Sequence, residues 1–342
     1  MRYPQNLPPN GSIGFIAPSF GCAAEPYRSA FLHGLNRLQS LHYTTLCGPN
    51  ASASDGIGIS STPAHCGEEI NEFFSRDDIH AIISCGGGEL MCTVLDHVDF
   101  AQLKAREARW FMGFSDNTNL SFLLPTLCDT ASIYGPCAPA FGMEPWHPVV
   151  YDALGLLTGS LDTIHSYGLW QSEGGKDEAH PLAPYNTTNL TRLKKFPAGG
   201  DKIQLSGRLL GGCLDVLSIL AGTCYDRVPD FLERYRDDGI LWFLEACDLN
   251  VFDIQRALWK LAHCGWFRHA RGFLIGRPMH FGEDIMGLNQ YDAVTSVLGP
   301  LGVPVIMDAD LGHLPPSMPL ITGAVAELYS RGDLLRIKFQ KT

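Results

Sequence analysis

The sequence predicts an α/β protein built in two parts, the first carrying a largely parallel sheet. Three observations lead there. Short apolar runs alternate with helix-period stretches through the N-terminal part, the pattern of strands connected by covering helices. That regularity fades between about residues 161 and 203, where Gly, Ser, Thr, Asn, Lys and Pro dominate. It returns near Ser206 with further buried runs. The expected organisation is therefore an α/β domain over 1–160, a linker or active-site loop segment over 161–203, and a second domain over 204–342.

In chain order, Ser12-Ile-Gly-Phe-Ile-Ala is a strand ending at the turn Pro18-Ser-Phe-Gly-Cys. Tyr27 to Leu41 places Phe31, Leu35 and Leu38 on one helical face. Residues 48–63, rich in Ser, Ala and Gly, read as an exposed loop. A helix over Glu68 to Phe74 precedes a buried strand at His80-Ala-Ile-Ile-Ser-Cys, and Leu90 to Leu95 opens another helix. Arg109-Trp-Phe-Met-Gly-Phe is a third strand, Leu120 to Leu127 a helix, and Ala131-Ser-Ile-Tyr a fourth strand. Beyond the irregular segment, a helix is expected over Leu214 to Leu220 and a strand over Gly239-Ile-Leu-Trp-Phe-Leu-Glu. Val251, Ile254, Leu258 and Leu261 mark a helical face, with strands at Gly272-Phe-Leu-Ile-Gly and Val303-Pro-Val-Ile-Met.

Composition narrows the function classes. An apolar fraction of 45% against 18% charged residues describes a well-buried chain rather than a disordered one. A formal charge of −11 argues against nucleic acid or an anionic membrane as partner, since both attract basic surfaces. Eleven cysteines without a C-x-x-C pair do not suggest a disulfide framework and read as small buried hydrophobes in a reducing compartment. The polar, Pro-rich start and the lack of a membrane-length apolar run make the cytoplasm the expected location. The adjacent pairs His65-Cys66 and His263-Cys264 lack the spacing that puts two metal ligands on one helix face.

Chemistry concentrates at Gly113-Phe-Ser115-Asp, a serine at the bend between a buried strand and a helix. Such a bend exposes a hydroxyl at the carboxyl edge of a sheet, and the helix behind it aims N–H groups at developing negative charge. The G-x-S-x-G pattern fails at Asn117, however, and a plain helix N-cap explains the same residues. A serine nucleophile needs a base and an orienting carboxylate. His313, in Asp308-Ala-Asp-Leu-Gly-His-Leu-Pro-Pro, follows a buried strand and is a candidate base; a loop histidine without a task is the alternative. Glu245 ends the run Ile240-Leu-Trp-Phe-Leu and needs a partner there, or else serves as an N-terminal carboxylate for residues 251–264. Ser84-Cys-Gly-Gly-Gly88-Glu89 is a second turn after a strand, able to direct N–H groups into a site or to be only a tight turn. It lacks the third glycine of a dinucleotide fingerprint.

Together these segments resemble the LD-carboxypeptidase family of serine peptidases, which includes the microcin C self-immunity peptidases. The residues that carry the resemblance are Ile13-Gly-Phe-Ile-Ala-Pro-Ser, Gly87-Gly-Glu-Leu-Met-Cys, Gly113-Phe-Ser-Asp-Asn-Thr-Asn-Leu, Tyr134-Gly-Pro, Gly207-Arg-Leu-Leu-Gly-Gly-Cys-Leu, Leu244-Glu-Ala and Leu311-Gly-His. The resemblance implies a flavodoxin- or Rossmann-like N-terminal domain, a β-rich C-terminal domain and an active site between them. It implies a catalytic triad of Ser115, Glu245 and His313, and an oxyanion hole from the backbone N–H groups of Asp116 and Gly88. It also implies a homodimer that needs no metal or cofactor. The implied substrates are murein tetrapeptides cut at an L-to-D junction or, in the immunity branch, aminoacyl-nucleotide antibiotics.

Substrate contacts are less determined. Gly87 and Glu89 flank the expected oxyanion hole. Trp170 and Tyr185 offer planar rings for a nucleobase or for covering a domain junction. Arg208 and Arg256 are candidates for a substrate carboxylate. Two rivals stand outside this class, a catalytically silent two-domain ligand-binding protein and a nucleotide-dependent oxidoreductase.

Overall fold

The computed structural model describes residues 1–197 and 201–340. The chain forms two compact units. The first comprises Met1–Asp162, Glu173–Asn186 and Pro319–Ile321; the second comprises Thr163–Ser172, Thr187–Met318 and Thr322–Thr342. Residues 161–203, read above as one segment, are thus shared between the two units.

The first unit contains β1 (Ser12–Ile16), α1 (Tyr27–Ser40), β2 (Thr44–Cys47), α2 (Pro63–Ser75), β3 (Ala81–Ser84), α3 (Phe100–Ala105), β4 (Trp110–Gly113), α4 (Thr118–Cys128), β5 (Ser132–Tyr134) and α5 (Pro148–Thr158). Strands β1, β3 and β4 are fully buried runs, as parallel strands covered on both faces must be. Pairing is parallel throughout β2-β1-β3-β4-β5, and a short strand at Leu320–Thr322 is added beside β5. This is the flavodoxin-like strand order, whose reversal beside β1 opens a crevice at the carboxyl ends of the strands. A core of Ile16, Ile70, Phe73, Ile82, Phe111 and Leu120 holds the helices on the sheet. Residues 91–97 form a 3-10 helix where the sequence suggested the start of an ordinary helix. The loop after β2 is not simply exposed, because Asn50, Ala51, Ile59, Ser60 and Ser61 are buried.

The second unit holds β6 (Thr163–His165), β7 (Leu169–Trp170), β8 (Asn189–Leu190), β9 (Lys194–Phe196), β10 (Lys202–Cys213), α6 (Leu214–Leu220), α7 (Val228–Arg234), β11 (Ile240–Glu245), α8 (Val251–His263) and β12 (Ala270–Gly276). It continues with β13 (Asp284–Ile285), β14 (Leu288–Asn289), α9 (Gln290–Leu298), β15 (Val305–Ala309), β17 (Val325–Arg331) and β18 (Leu334–Gln340), with β16 (Leu320–Thr322) being the edge strand of the first sheet. Its main sheet runs β6-β18-β17-β10-β11-β12-β15-β9. The centre, β10-β11-β12-β15, is parallel and the flanks are antiparallel. Burial follows pairing: β11 is buried at every residue, whereas β18 alternates exposed and buried along most of its length. The alternating pair β17 and β18 was not anticipated above, although its period of two and its Gly332-Asp333 turn are visible in the sequence.

No helix among the described residues is long and apolar enough to cross a membrane. Six of the eleven cysteines are buried, as expected, but Cys47 and Cys224 are exposed.

Candidate active site

The first unit carries the serine. Ser115 follows β4 by two residues, and its φ of 65° puts a non-glycine residue in the left-handed region. That conformation costs on the order of 1–3 kcal/mol and persists only where surrounding contacts impose it. Three contacts do so. The Ser115 backbone N–H donates to the Tyr134 hydroxyl at 3.2 Å, from a tyrosine that is fully buried. The Asn117 amide donates to the Gly86 carbonyl at 2.6 Å and to the Phe114 carbonyl at 3.1 Å, tying the bend to the glycine turn. Gly87 lies so near that a Cβ there would stand 3.1 Å from both Cβ and Oγ of Ser115. The residue that breaks the G-x-S-x-G pattern is therefore a strut. Ser115 is not the N-cap of α4: it opens a 3-10 turn over Ser115–Asn117 that follows the extended residue Phe114, and the residue directly before α4 is Asn117.

Asp116 is buried and holds the neighbouring loops. Its Oδ2 accepts from the Ser19 hydroxyl at 2.5 Å and the Met91 N–H at 2.9 Å, and its Oδ1 accepts from Asn119 at 3.0 Å. Burial raises its pKa against the pull of these donors. The loop after β1 is tied to the glycine turn by the Phe20 N–H on the Gly87 carbonyl at 2.7 Å. Glu69 of α2, wholly inside, accepts the Ala17 N–H at 2.7 Å and the Asn50 N–H at 2.9 Å. Burial drives its pKa up to about 7 despite those donors. Glu69 was not singled out from sequence, and Tyr134 was named there only within the segment Tyr134-Gly-Pro, without a role. Glu69 could have been, since it lies three residues after Cys66 and four before Phe73, on the apolar face of its helix.

The second unit carries the other two predicted residues and brings them together. Glu245 ends β11 with its side chain out of solvent, and His313 follows β15 by four residues. His313 Nδ1 lies 2.9 Å from Glu245 Oε2. A carboxylate only accepts, so this contact places the ring proton on Nδ1 and leaves Nε2 as the basic nitrogen. Burial works against charge on the ring, but the Glu245 carboxylate and the Cys247 thiol outweigh it, so the pKa lies well above that of ordinary histidine. Gly312 makes the approach possible: its φ is 98°, and a Cβ on it would lie 2.7 Å from Glu245 Oε2. Behind Glu245 lies an apolar cavity lined by Leu214, Ile254, Leu258, Ile275 and Met307. The alternative role for Glu245, at the start of α8, is taken by Asn250, which accepts from the Phe252 and Asp253 N–H groups.

The remaining candidates fare differently. Arg208 is a correction: its guanidinium bonds Asp238 at 2.5 and 2.9 Å and the Gly323 carbonyl at 2.5 Å, and stacks on Tyr235, so it braces the sheet instead of awaiting a carboxylate. Arg256 is exposed on α8 and paired with Asp253. Trp170 is buried, with the Arg277 guanidinium over its ring and Phe281 packed edge-on against it. Tyr185 is half-buried in the first unit, 5.4 Å from the His147 ring. Glu89 is exposed, with its N–H on the Gly58 carbonyl at 3.0 Å. Among the described residues no three His, Cys, Asp or Glu side chains are grouped as a metal site.

The chain is similar to known proteins over most of its length. Residues 13–135 match the LD-carboxypeptidase N-terminal domain and residues 206–328 the LD-carboxypeptidase C-terminal domain. The chain is 26% identical over 325 residues to the microcin C7 self-immunity protein MccF of Escherichia coli, covering 91% of this chain and 88% of that protein. It is 25% identical over 264 residues to the murein tetrapeptide carboxypeptidase of Pseudomonas aeruginosa, covering 74% and 72%. The solved structure of MccF in complex with glutamyl sulfamoyl guanosine shares the fold, with a TM-score of 0.80 at 21% identity over 98% of each chain. The chain belongs to the LD-carboxypeptidase family, a family of serine carboxypeptidases.

Proposed function

We propose that the protein is a serine hydrolase of small peptide-like substrates, with Ser115 as nucleophile, His313 as base and Glu245 as its orienting carboxylate. The observation that carries this reading is the Glu245–His313 pair, which presents Nε2 as the basic nitrogen. His313 takes the Ser115 proton as Oγ attacks the scissile carbonyl, and Glu245 stabilises the imidazolium. The backbone N–H groups of Asp116 and Gly88 hold the oxyanion, where each donor is worth roughly 3–4 kcal/mol. The proton then passes to the departing amine. Water activated by His313 releases the acyl group. The Ser115 N–H is engaged by Tyr134, which supports the choice of Asp116 as the donor on this side.

The substrate we assign first is a murein tetrapeptide, the substrate in the name of the Pseudomonas relative, and the bond we assign is the L-to-D bond whose cleavage releases the C-terminal residue. A second reading is favoured by the longer match to the self-immunity protein, 91% of the chain against 74%. On that reading the scissile bond belongs to an aminoacyl-nucleotide. A panel of LD-tetrapeptides and aminoacyl sulfamoyl nucleosides, read by mass spectrometry, separates the two. A fluorophosphonate probe should label wild-type protein at Ser115, and Ser115→Ala should lose labelling and turnover while keeping its fold. Undiminished hydrolysis by Ser115→Ala would sink the mechanism.

A further inference from the structure

Three residues before His313 stands Asp310, a fully buried carboxylate with an equally buried partner. Arg277 is 1% exposed and Asp310 0%, and Arg277 Nη2 donates to Asp310 Oδ1 at 2.6 Å. The same Oδ1 accepts from the Thr191 hydroxyl at 3.0 Å, and Oδ2 accepts the Tyr167 N–H at 2.7 Å. Arg277 Nη1 donates to the Asp308 carbonyl at 2.8 Å, and its guanidinium lies 4.9 Å above the Trp170 ring. Further bonds close the loop around His313. The Met318 N–H donates to the Asp310 carbonyl at 2.7 Å, the Gln171 N–H to the Pro315 carbonyl at 2.8 Å, and the Gly312 N–H to the Ser317 hydroxyl at 3.1 Å.

Stability does not explain such a pair. Removing two charges from water costs several kcal/mol per ion, and an apolar pair of similar volume often does as well or better. What the pair supplies is direction. Arg277 directly follows Gly276, where a Cβ would lie 3.0 Å from Glu245 Cβ, and Asp310 leads the loop that carries His313. One ion pair therefore registers the strand end beside Glu245 against the loop that brings the imidazole to it.

We infer that Asp310, oriented by Arg277, Thr191 and the Tyr167 amide, is a positioning residue for His313, holding the ring at Glu245 in the attitude that proton abstraction requires. The inference rests on His313 being the base. A displacement of about 1 Å at a reacting group can cost on the order of 100-fold in rate, so loosening this anchor should act on chemistry more than on substrate binding.

The test follows three readouts in Asp310→Asn: the second-order rate of fluorophosphonate labelling, the low-field proton resonance of the His313 Nδ1–H bonded to Glu245, and thermal unfolding. The expected result is a loss of roughly 10- to 100-fold in labelling rate with a shifted or broadened resonance in protein that remains folded. Where the unpaired Arg277 charge prevents folding, Thr191→Val keeps the ion pair and removes one hydrogen bond. It should shift the same resonance with a several-fold slower labelling. A folded variant with an unchanged resonance and labelling rate would overturn the inference, whatever its melting temperature. His313→Gln separates this from the parent reading. If it labels as fast as wild type, His313 is not the base and both claims fall; if it is silent while Asp310→Asn matches wild type, only the positioning role falls.

Discussion

The two groups of candidate residues, one in each unit, are held in place by opposite means. Around Ser115 the support is backbone: a left-handed φ, a glycine whose Cβ would crowd Oγ, and main-chain groups bound by Tyr134, Asn117 and Asp116. Around His313 it is charge, with Glu245 on the ring and Asp310 on Arg277, each inside the protein. The difference fits the roles proposed for each group. A nucleophile must be exposed at a defined point, which a rigid turn achieves. A base must also change charge during the reaction, so its setting must hold a cation as well as a neutral ring.

The sharpest way to break this contrast is to add steric bulk on the charged side. Gly312→Val brings a Cβ to 2.7 Å from Glu245 Oε2 and forces a β-branched residue to a φ of 98°. Labelling and turnover should fall by roughly 100-fold or more, with a stability loss of about 1–3 kcal/mol in urea unfolding. Near-wild-type rates would mean that the His313 loop tolerates a different path.

A medium effect is expected from the buried carboxylate on the serine side. The folded pKa of Glu69 is about 7 against 4.5 for the free side chain, so the native state binds this proton more tightly than the unfolded chain does. Its contribution is complete below 4.5 and is lost as pH rises through 7. The shift corresponds to about 3 kcal/mol. Unfolding midpoints followed from pH 4 to 8 should show this decline in wild type and a flatter profile in Glu69→Gln. Parallel profiles would show that Glu69 titrates alike folded and unfolded.

The smallest effect sharpens the backbone side. Tyr134→Phe removes the acceptor of the half-buried Ser115 N–H. A cost of about 1–3 kcal/mol in stability is expected. Labelling should slow only several-fold, because Gly87 and Asn117 still define the bend. A loss as large as that of Gly312→Val would make the hydroxyl the main determinant of the serine's position.

Much of this architecture is readable in the chain itself. Strands β1, β3, β4, β11, β12 and β15 are apolar runs bounded by turn residues, and a parallel sheet buried on both faces leaves that trace in composition. The triad candidates lie at or just beyond strand ends, where the motif series points. The alternating strands β17 and β18 are legible by period, yet they were not among the expected elements. Arg208 misled because an isolated cation in a sequence carries no record of its neighbours; Asp238, Gly323 and Tyr235 claim it.

Sequence alone determined the strand–turn–helix around Ser115, because hydrophobic period and glycine placement act over a few neighbouring residues. It also determined the family, through seven short segments in order. Only the tertiary structure decided that Asn117 is a strut, that Glu245 turns to His313 rather than to α8, and that Glu69 and Asp310 anchor loops far from them in the chain. Those assignments depend on contacts across 31 to 68 residues of sequence separation, and a buried polar group takes its meaning from whichever partner the fold brings within about 3 Å of it.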